Sequence, residues 1–299
     1  MTSTQTRWSR RDFLKYAAAS AGVAAVGVSA PTIVLGAKGG GGGTVSRNPL
    51  RIPPIASPSG LTLTAAPTGV SKVLAYNGQF PGPTLVASRG DAARVGLANG
   101  LSGETTIHWH GMIVPEAADG HPKYAVAPGG SYSYSFTVSQ RACLNWYHPH
   151  PHMMTGHQVY YGLAGAFIVR DSEEGGLGLP SGAYEVPLIV RDASYDSQGN
   201  LSFGAKASGF LGTVPLVNGT RDPYLAVDRG VYRLRVLNGA NARVFRLALS
   251  SGAAFTLISN DGGLLPSPVS VTEITPGPAE RADLLVDFRG LGQGATVRL

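Results

Sequence analysis

Beyond about residue 90 the chain is written in short runs that alternate apolar and polar side chains. Residues 93–99 and the run Tyr132-Ser133-Tyr134-Ser135-Phe136-Thr137-Val138 place every second side chain on one face, as a half-buried strand does. Residues 107–112 and the apolar run 163–169 read as further strands of the same unit, after a turn-rich approach at 77–85. A second series follows at 186–191, 231–237, 243–249, 255–259 and 282–288, with turn residues between the runs at sandwich-like spacing. No sustained helical period follows residue 40. The pattern predicts an all-β chain of two sandwich domains, 49–172 and 183–299, divided by a stretch rich in Gly, Ser and acidic residues at 170–182.

Composition agrees and narrows the field. The 299 residues are 43% apolar and 14% charged, which suits a globular chain, and 41 Gly with 21 Pro supply many turns. The net charge of +6 is partly local, because Arg7, Arg10, Arg11 and Lys15 stand against Asp12 near the N-terminus. No basic run is interleaved with aromatics, so no nucleic-acid partner is expected. The single cysteine, Cys143, excludes an intramolecular disulfide.

The N-terminus reads as a twin-arginine export signal over residues 1–37. Ser9-Arg10-Arg11-Asp12-Phe13-Leu14-Lys15 precedes an Ala/Gly/Val run ending near Ala30. That run is short, interrupted by glycine and followed by Pro31, which argues against a stable membrane span and for delivery to the periplasm or the exterior. Residues 38–48 read as a flexible glycine-rich tether.

The chemistry concentrates in one stretch, since all seven histidines fall between positions 108 and 157. Alternate residues of a strand share a face, so His108 with His110, and His148 with His150 and His152, can project together as two groups of ligands of a metal site. The second half contains no His, Cys or Met and is expected to be structural. Cys143, His148 and Met153 also stand at a spacing compatible with a blue-copper centre, with His108 or His110 as its second imidazole. Against that centre, it would take His148 out of the pair that it forms with His150. His152, Met153, Met154 and His157 could capture copper as an auxiliary patch, although a loop bordering the site is the preferred reading. His121 is expected to border the site, and Cys143 to be a small buried residue.

These phrases together resemble the multicopper oxidases, most closely the bacterial copper-efflux and bilirubin-oxidase-like branch. His108-Trp109-His110-Gly111 resembles the first copper motif of that family and Trp146-Tyr147-His148-Pro149-His150 the second. Leu216-Val217-Asn218-Gly219, Asp261-Gly262-Gly263-Leu264-Leu265 and Glu280-Arg281-Ala282-Asp283 also look like family phrases, and the resemblance covers roughly residues 50–290. It implies two cupredoxin-like (plastocyanin-like) Greek-key domains and half of a trinuclear copper cluster. His108 would ligate the type 2 copper, His110 and His148 one type 3 copper, and His150 the other. Asp119 would be the carboxylate that assists proton delivery to oxygen.

The same resemblance implies that a third, type 1 copper domain is absent from this chain, because no His-Cys-His motif occurs. The expected function is a copper-dependent oxidoreductase that couples one-electron oxidation of a small reductant to reduction of molecular oxygen to water. The reductant would be phenolic, bilirubin-like or cuprous ion, and a complementary cupredoxin domain would complete the site. The alternative is a non-catalytic exported copper-binding or scaffold protein. An unpaired cluster face would favour either a partner or instability.

Overall fold

A computed structural model describes residues 34–37, 48–204 and 209–299. The leader and tether expected at 1–37 and 38–48 therefore lie outside the described residues, apart from 34–37 and Asn48. Nearly all the regular structure is β, in two sandwiches placed side by side.

In the first sandwich a five-stranded sheet runs, in spatial order, Ile55–Ala56, Thr84–Ser88, Gly165–Arg170, Cys143–His148 and His108–His110. It faces a four-stranded sheet of Leu74–Tyr76, Ser59–Pro67, Ala92–Asn99 and Ser131–Thr137. The alternation in Ser131–Thr137 becomes burial of Tyr134 and Phe136 between exposed Ser133 and Ser135. These rings join Leu63, Val95, Leu97, Trp109, Tyr147 and Phe167 in one core.

The second sandwich is built on seven strands in the spatial order Thr220–Arg221, Val214–Val217, Glu185–Ala193, Val231–Asn238, Arg281–Asp287, Phe255–Asn260 and Gly263–Val271. Its core gathers Leu188, Val190, Leu234, Val236, Phe245, Phe255, Leu284 and Phe288. A four-stranded sheet of Asn48–Pro49, Pro223–Val227, Val34–Ala37 and Thr296–Arg298 belongs to the same unit. Leu144, Trp146, Val159, Ala166 and Ile168 of the first unit pack on Ile189 and Leu237 of the second, so the two units share a small apolar seam.

Beside that seam lies a buried ionic cluster. Arg233 and Arg235 both reach Glu174 and Asp283, while Glu185 takes Arg235 and Arg170. Burial alone would raise the Glu185 carboxyl, but the Arg170 and Arg235 guanidiniums outweigh it and hold the group down to about 2. Glu174 comes from a short helix, Ser172–Gly175, inside the stretch expected to be a plain divider.

The structure also departs from the pattern in several strands. Only Leu247–Ala248 of the run 243–249 is strand, because Asn238 turns the chain there by holding the Arg243 and Pro276 carbonyls with its side-chain amide. The strands Val214–Val217, Pro223–Val227 and Gly263–Val271, and a helix Thr155–Tyr161, were not expected. No helix among the described residues is long and apolar enough to cross a membrane.

Candidate metal centre

The site is assembled by strand register. His108–His110 runs antiparallel to Cys143–His148, with His108 opposite His148 and His110 opposite Trp146. Directly opposed residues share a face, so His108, His110, Trp146 and His148 all project to one side of the sheet. Trp109 and Tyr147, one residue out of phase, project to the other and fill the first core. The histidines with Trp146 on one face, and Trp109 with Tyr147 on the other, are thus two phases of the same two strands.

His108, His110 and His148 each offer a ring nitrogen, and these nitrogens lie within 4.8 Å of one another. His110 Nδ1 is 3.2 Å from His148 Nε2. Two imidazoles bound side by side to one ion at about 2.0–2.1 Å stand at comparable separation. His148 Nδ1 lies 2.8 Å from the Pro149 carbonyl, so a proton there donates to that oxygen and leaves Nε2 as the free lone pair. His108 Nδ1 lies 2.8 Å from the Asp119 carbonyl and 3.2 Å from its carboxylate Oδ1, which frees His108 Nε2 by the same logic.

The rings are held in the form that a metal needs. Burial lowers His148 to about 3, and repulsion from His108, His110 and His150 adds to that despite the opposing Pro149 hydrogen bond. Burial also lowers His110 to about 4, followed by the nearby Arg281 cation and then the neighbouring histidines. Both are therefore neutral imidazoles near pH 7. A cluster of imidazole nitrogens, with His148 buried and His108 and His110 half-buried, and with no carboxylate among the ligating atoms, fits copper.

Local chemistry fixes the loops. Asp119 reaches His108 through a turn in which Gly120 has φ +71°, and a Cβ there would stand 2.1 Å from the Ile107 carbonyl. Only glycine fits that approach. Gly111, at φ +87°, has no room for a Cβ, which would stand 2.5 Å from an Arg281 guanidinium nitrogen and 2.6 Å from Asn145 Oδ1. Arg281 enters from the second unit, where its Nε donates to the Leu144 carbonyl at 3.0 Å on the same strand as His148.

The other sequence candidates divide. His150 leaves the strand after Pro149. Its backbone N–H donates to Thr106 Oγ1 at 2.8 Å, and it borders the same cavity outside the tight trio. His152 and Met153 are exposed on the following turn rather than on a shared strand face, because the strand ends at His148. His121 caps a single helical turn by accepting from the Lys123 N–H at 3.1 Å. His157 lies on the helix Thr155–Tyr161 against the Tyr161 ring. A blue-copper centre at Cys143 does not form, since Cys143 and His148 fall on opposite faces of their strand and Met153 is 86% exposed. Cys143 is buried and accepts from Asn145 Nδ2.

The cavity in front of the histidines measures about 500 Å³, and its far wall belongs to the second unit through Phe203, Phe210, Ala240, Asn241 and Ala279. Sequence reasoning missed this wall, Thr106 and Arg281. The polar run Thr105-Thr106 just before an apolar strand was the one local signal for part of it.

Residues 62–174 match the family described as multicopper oxidase, and residues 9–27 match the twin-arginine translocation pathway signal sequence. The chain is 38% identical over 219 residues to "Multicopper oxidase mco" of Staphylococcus haemolyticus, spanning 73% of this chain and 49% of that protein. It is 34% identical over 294 residues to "Cell division protein FtsP" of Salmonella typhimurium, spanning 94% of this chain and 60% of that protein. Among solved structures, the laccase of Pediococcus acidilactici superposes with a TM-score of 0.79 at 36% identity, covering 87% of this chain and 60% of that one. The chain thus spans about half to three fifths of the length of these relatives. By its sequence and its cupredoxin-like sandwiches, this chain, which carries a twin-arginine export signal, belongs to the multicopper oxidase family.

Proposed function

We propose that the chain supplies the copper-binding half of an exported oxidoreductase that passes electrons from a small reductant to molecular oxygen. The observation that carries this is the convergence of the His108, His110 and His148 nitrogens within 4.8 Å on one sheet face. His108 would hold the type 2 copper, His110 and His148 one type 3 copper, and His150 the other. Copper bound there supplies one-electron redox chemistry and the means to reduce oxygen to water.

The protein's own part is to place and protect the ligands. Trp146 lies against the His148 ring at 4.1 Å between centroids and keeps water from that side. The Asp119 backbone carbonyl accepts from His108 Nδ1 and fixes that ring, while the Asp119 carboxylate Oδ1 stands 3.2 Å from the same nitrogen with its side chain 45% exposed. A carboxylate that touches both ligand and solvent can hold a proton at Oδ1 or Oδ2 and pass it inward as oxygen is reduced. Phenols, bilirubin-like pigments and cuprous ion are the candidate reductants, and a complementary cupredoxin domain would face the cavity.

A second reading is favoured by the similarity to a cell division protein over 94% of the chain. In that reading the exported chain binds copper, or serves as a scaffold, without turnover. Oxygen uptake decides between the two. The copper-loaded chain, with a complementary cupredoxin domain added, is given a phenol, bilirubin or cuprous ion. Uptake abolished by His148→Ala supports the oxidase, whereas bound copper without uptake supports the second reading.

A further inference from the structure

The strand Val34–Ala37 occupies a place that a removable leader would not be expected to hold. Its backbone is an inner strand of the four-stranded sheet of the second unit. On one side all four residues pair in parallel, Val34 with Tyr224 through Ala37 with Val227. On the other, Val34, Leu35 and Gly36 pair antiparallel with Arg298, Val297 and Thr296.

The neighbours depend on it. Among the described residues Thr296–Arg298 has no other strand partner, although Val297 and Leu299 are buried in the core of the second unit. Pro223–Val227 would keep only its two-residue pairing with Asn48–Pro49. Removing Val34–Ala37 would open two facing strand edges, with a row of backbone donors and acceptors left to find new partners.

Three bonds in this region follow a small residue, as a signal peptidase requires, although only the first also has a small residue two places earlier. Gly27, Ala30 and Ala37 are each preceded two places earlier by Ala25, Val28 and Leu35. The twin-arginine match ends at residue 27, before the strand begins. Twin-arginine export carries folded cargo, so the bond after Ala37 reaches the peptidase at the end of a strand that is already paired. A protease must take its substrate extended and unpaired, so cutting there waits on opening of the sheet, whereas a bond upstream of Val34 needs no opening of these pairs.

We propose that processing falls N-terminal to Val34, so that the exported protein keeps Val34–Ala37 as a structural strand of its second unit. The fold then excludes the bond after Ala37 and leaves the upstream bonds to the peptidase.

The test is to export the chain from a bacterium with an active twin-arginine pathway and determine its first residue by N-terminal sequencing and intact mass. A processed chain whose first residue is Val34 or earlier supports the proposal, and one that begins at Leu35, Gly36 or Ala37 overturns it. A chain beginning at Lys38 or later overturns it. A second measurement compares leaderless forms that begin at Val34 and at Lys38. The Lys38 form should melt at a lower temperature or fail to fold, with faster amide exchange at 224–227 and 296–298. Gly36→Pro in the Val34 form should reproduce the loss at unchanged length, since proline removes a ladder donor. Equal melting and equal exchange in the three forms overturn the proposal.

Discussion

Replacing Arg281 by Met tests how far the second unit holds the metal-binding strand in place. The guanidinium donates to the carbonyls of Leu144 at 3.0 Å, Ala279 at 3.1 Å and Asp261 at 3.2 Å, and pairs with Asp261 Oδ1 at 3.0 Å. Its side chain is 5% exposed, so water cannot replace these contacts. Charged hydrogen bonds contribute about 1.5–3 kcal/mol each but do not add freely, and the Asp261 pair counts for little because that carboxylate is half exposed. Methionine keeps the apolar stem and strands the Leu144 carbonyl, so the expected loss is about 3–5 kcal/mol in urea unfolding of the metal-free chain. Arg281 is also the second cause, after burial, of the low His110 pKa. Histidine titration by NMR should therefore show His110 moving up from about 4 in Arg281→Met. Arg281→Lys, which keeps the charge and loses the planar fork, should lose stability with His110 still low. A loss below about 1 kcal/mol together with an unmoved His110 would refute the clamp.

Three further outcomes follow from the site and the core. The metal-free chain should weaken in acid because His148 is lowered to about 3 from an ordinary 6.5. Below that ordinary value the unfolded chain takes up a proton that the folded chain refuses, so stability falls toward the folded value by up to about 1.4 kcal/mol per pH unit and is flat above it. Urea midpoints between neutral pH and pH about 4 should show this slope, and His148→Gln should lack its share of it. Gly120→Ala, with its Cβ forced to 2.1 Å from the Ile107 carbonyl, should cost about 2 kcal/mol or more and weaken copper binding by displacing Asp119. Arg235→Met should cost about 3–5 kcal/mol in thermal or urea unfolding, because Glu174, Glu185 and Asp283 would share one fewer buried cation.

Strands with one solvent face were legible from the chain because their period is two, as in Ser131–Thr137 with Tyr134 and Phe136 turned inward. The pairing of His108 with His110 was legible for the same reason. The grouping of His148 with His150 and His152 on one strand face failed because Pro149 and Pro151 end the strand and turn the chain, which a simple count of alternate residues ignores. The helix Thr155–Tyr161 is too short to establish a period, and it is held from outside by Arg191, which donates to the Val159 carbonyl at its C-terminal end. The ionic cluster could not be read locally either. Arg233 and Arg235 look like the polar phase of an exposed strand face, and only the arrival of Glu174, Glu185 and Asp283 from distant segments makes their burial possible. Arg281 is the same kind of residue, since its role depends on which strand of the other unit lies beside it.

The most direct measurement is copper titration of the metal-free chain by equilibrium dialysis, with electron paramagnetic resonance to count the bound nitrogens. Copper(II) should bind with nitrogen ligation, and His108→Ala, His110→Ala and His148→Ala should each weaken it at least tenfold, while His121→Ala leaves it unchanged, because only the first three nitrogens converge. Binding that survives His148→Ala, or that is lost in His121→Ala, would contradict a metal centre built on the His108–His110 and Cys143–His148 strands.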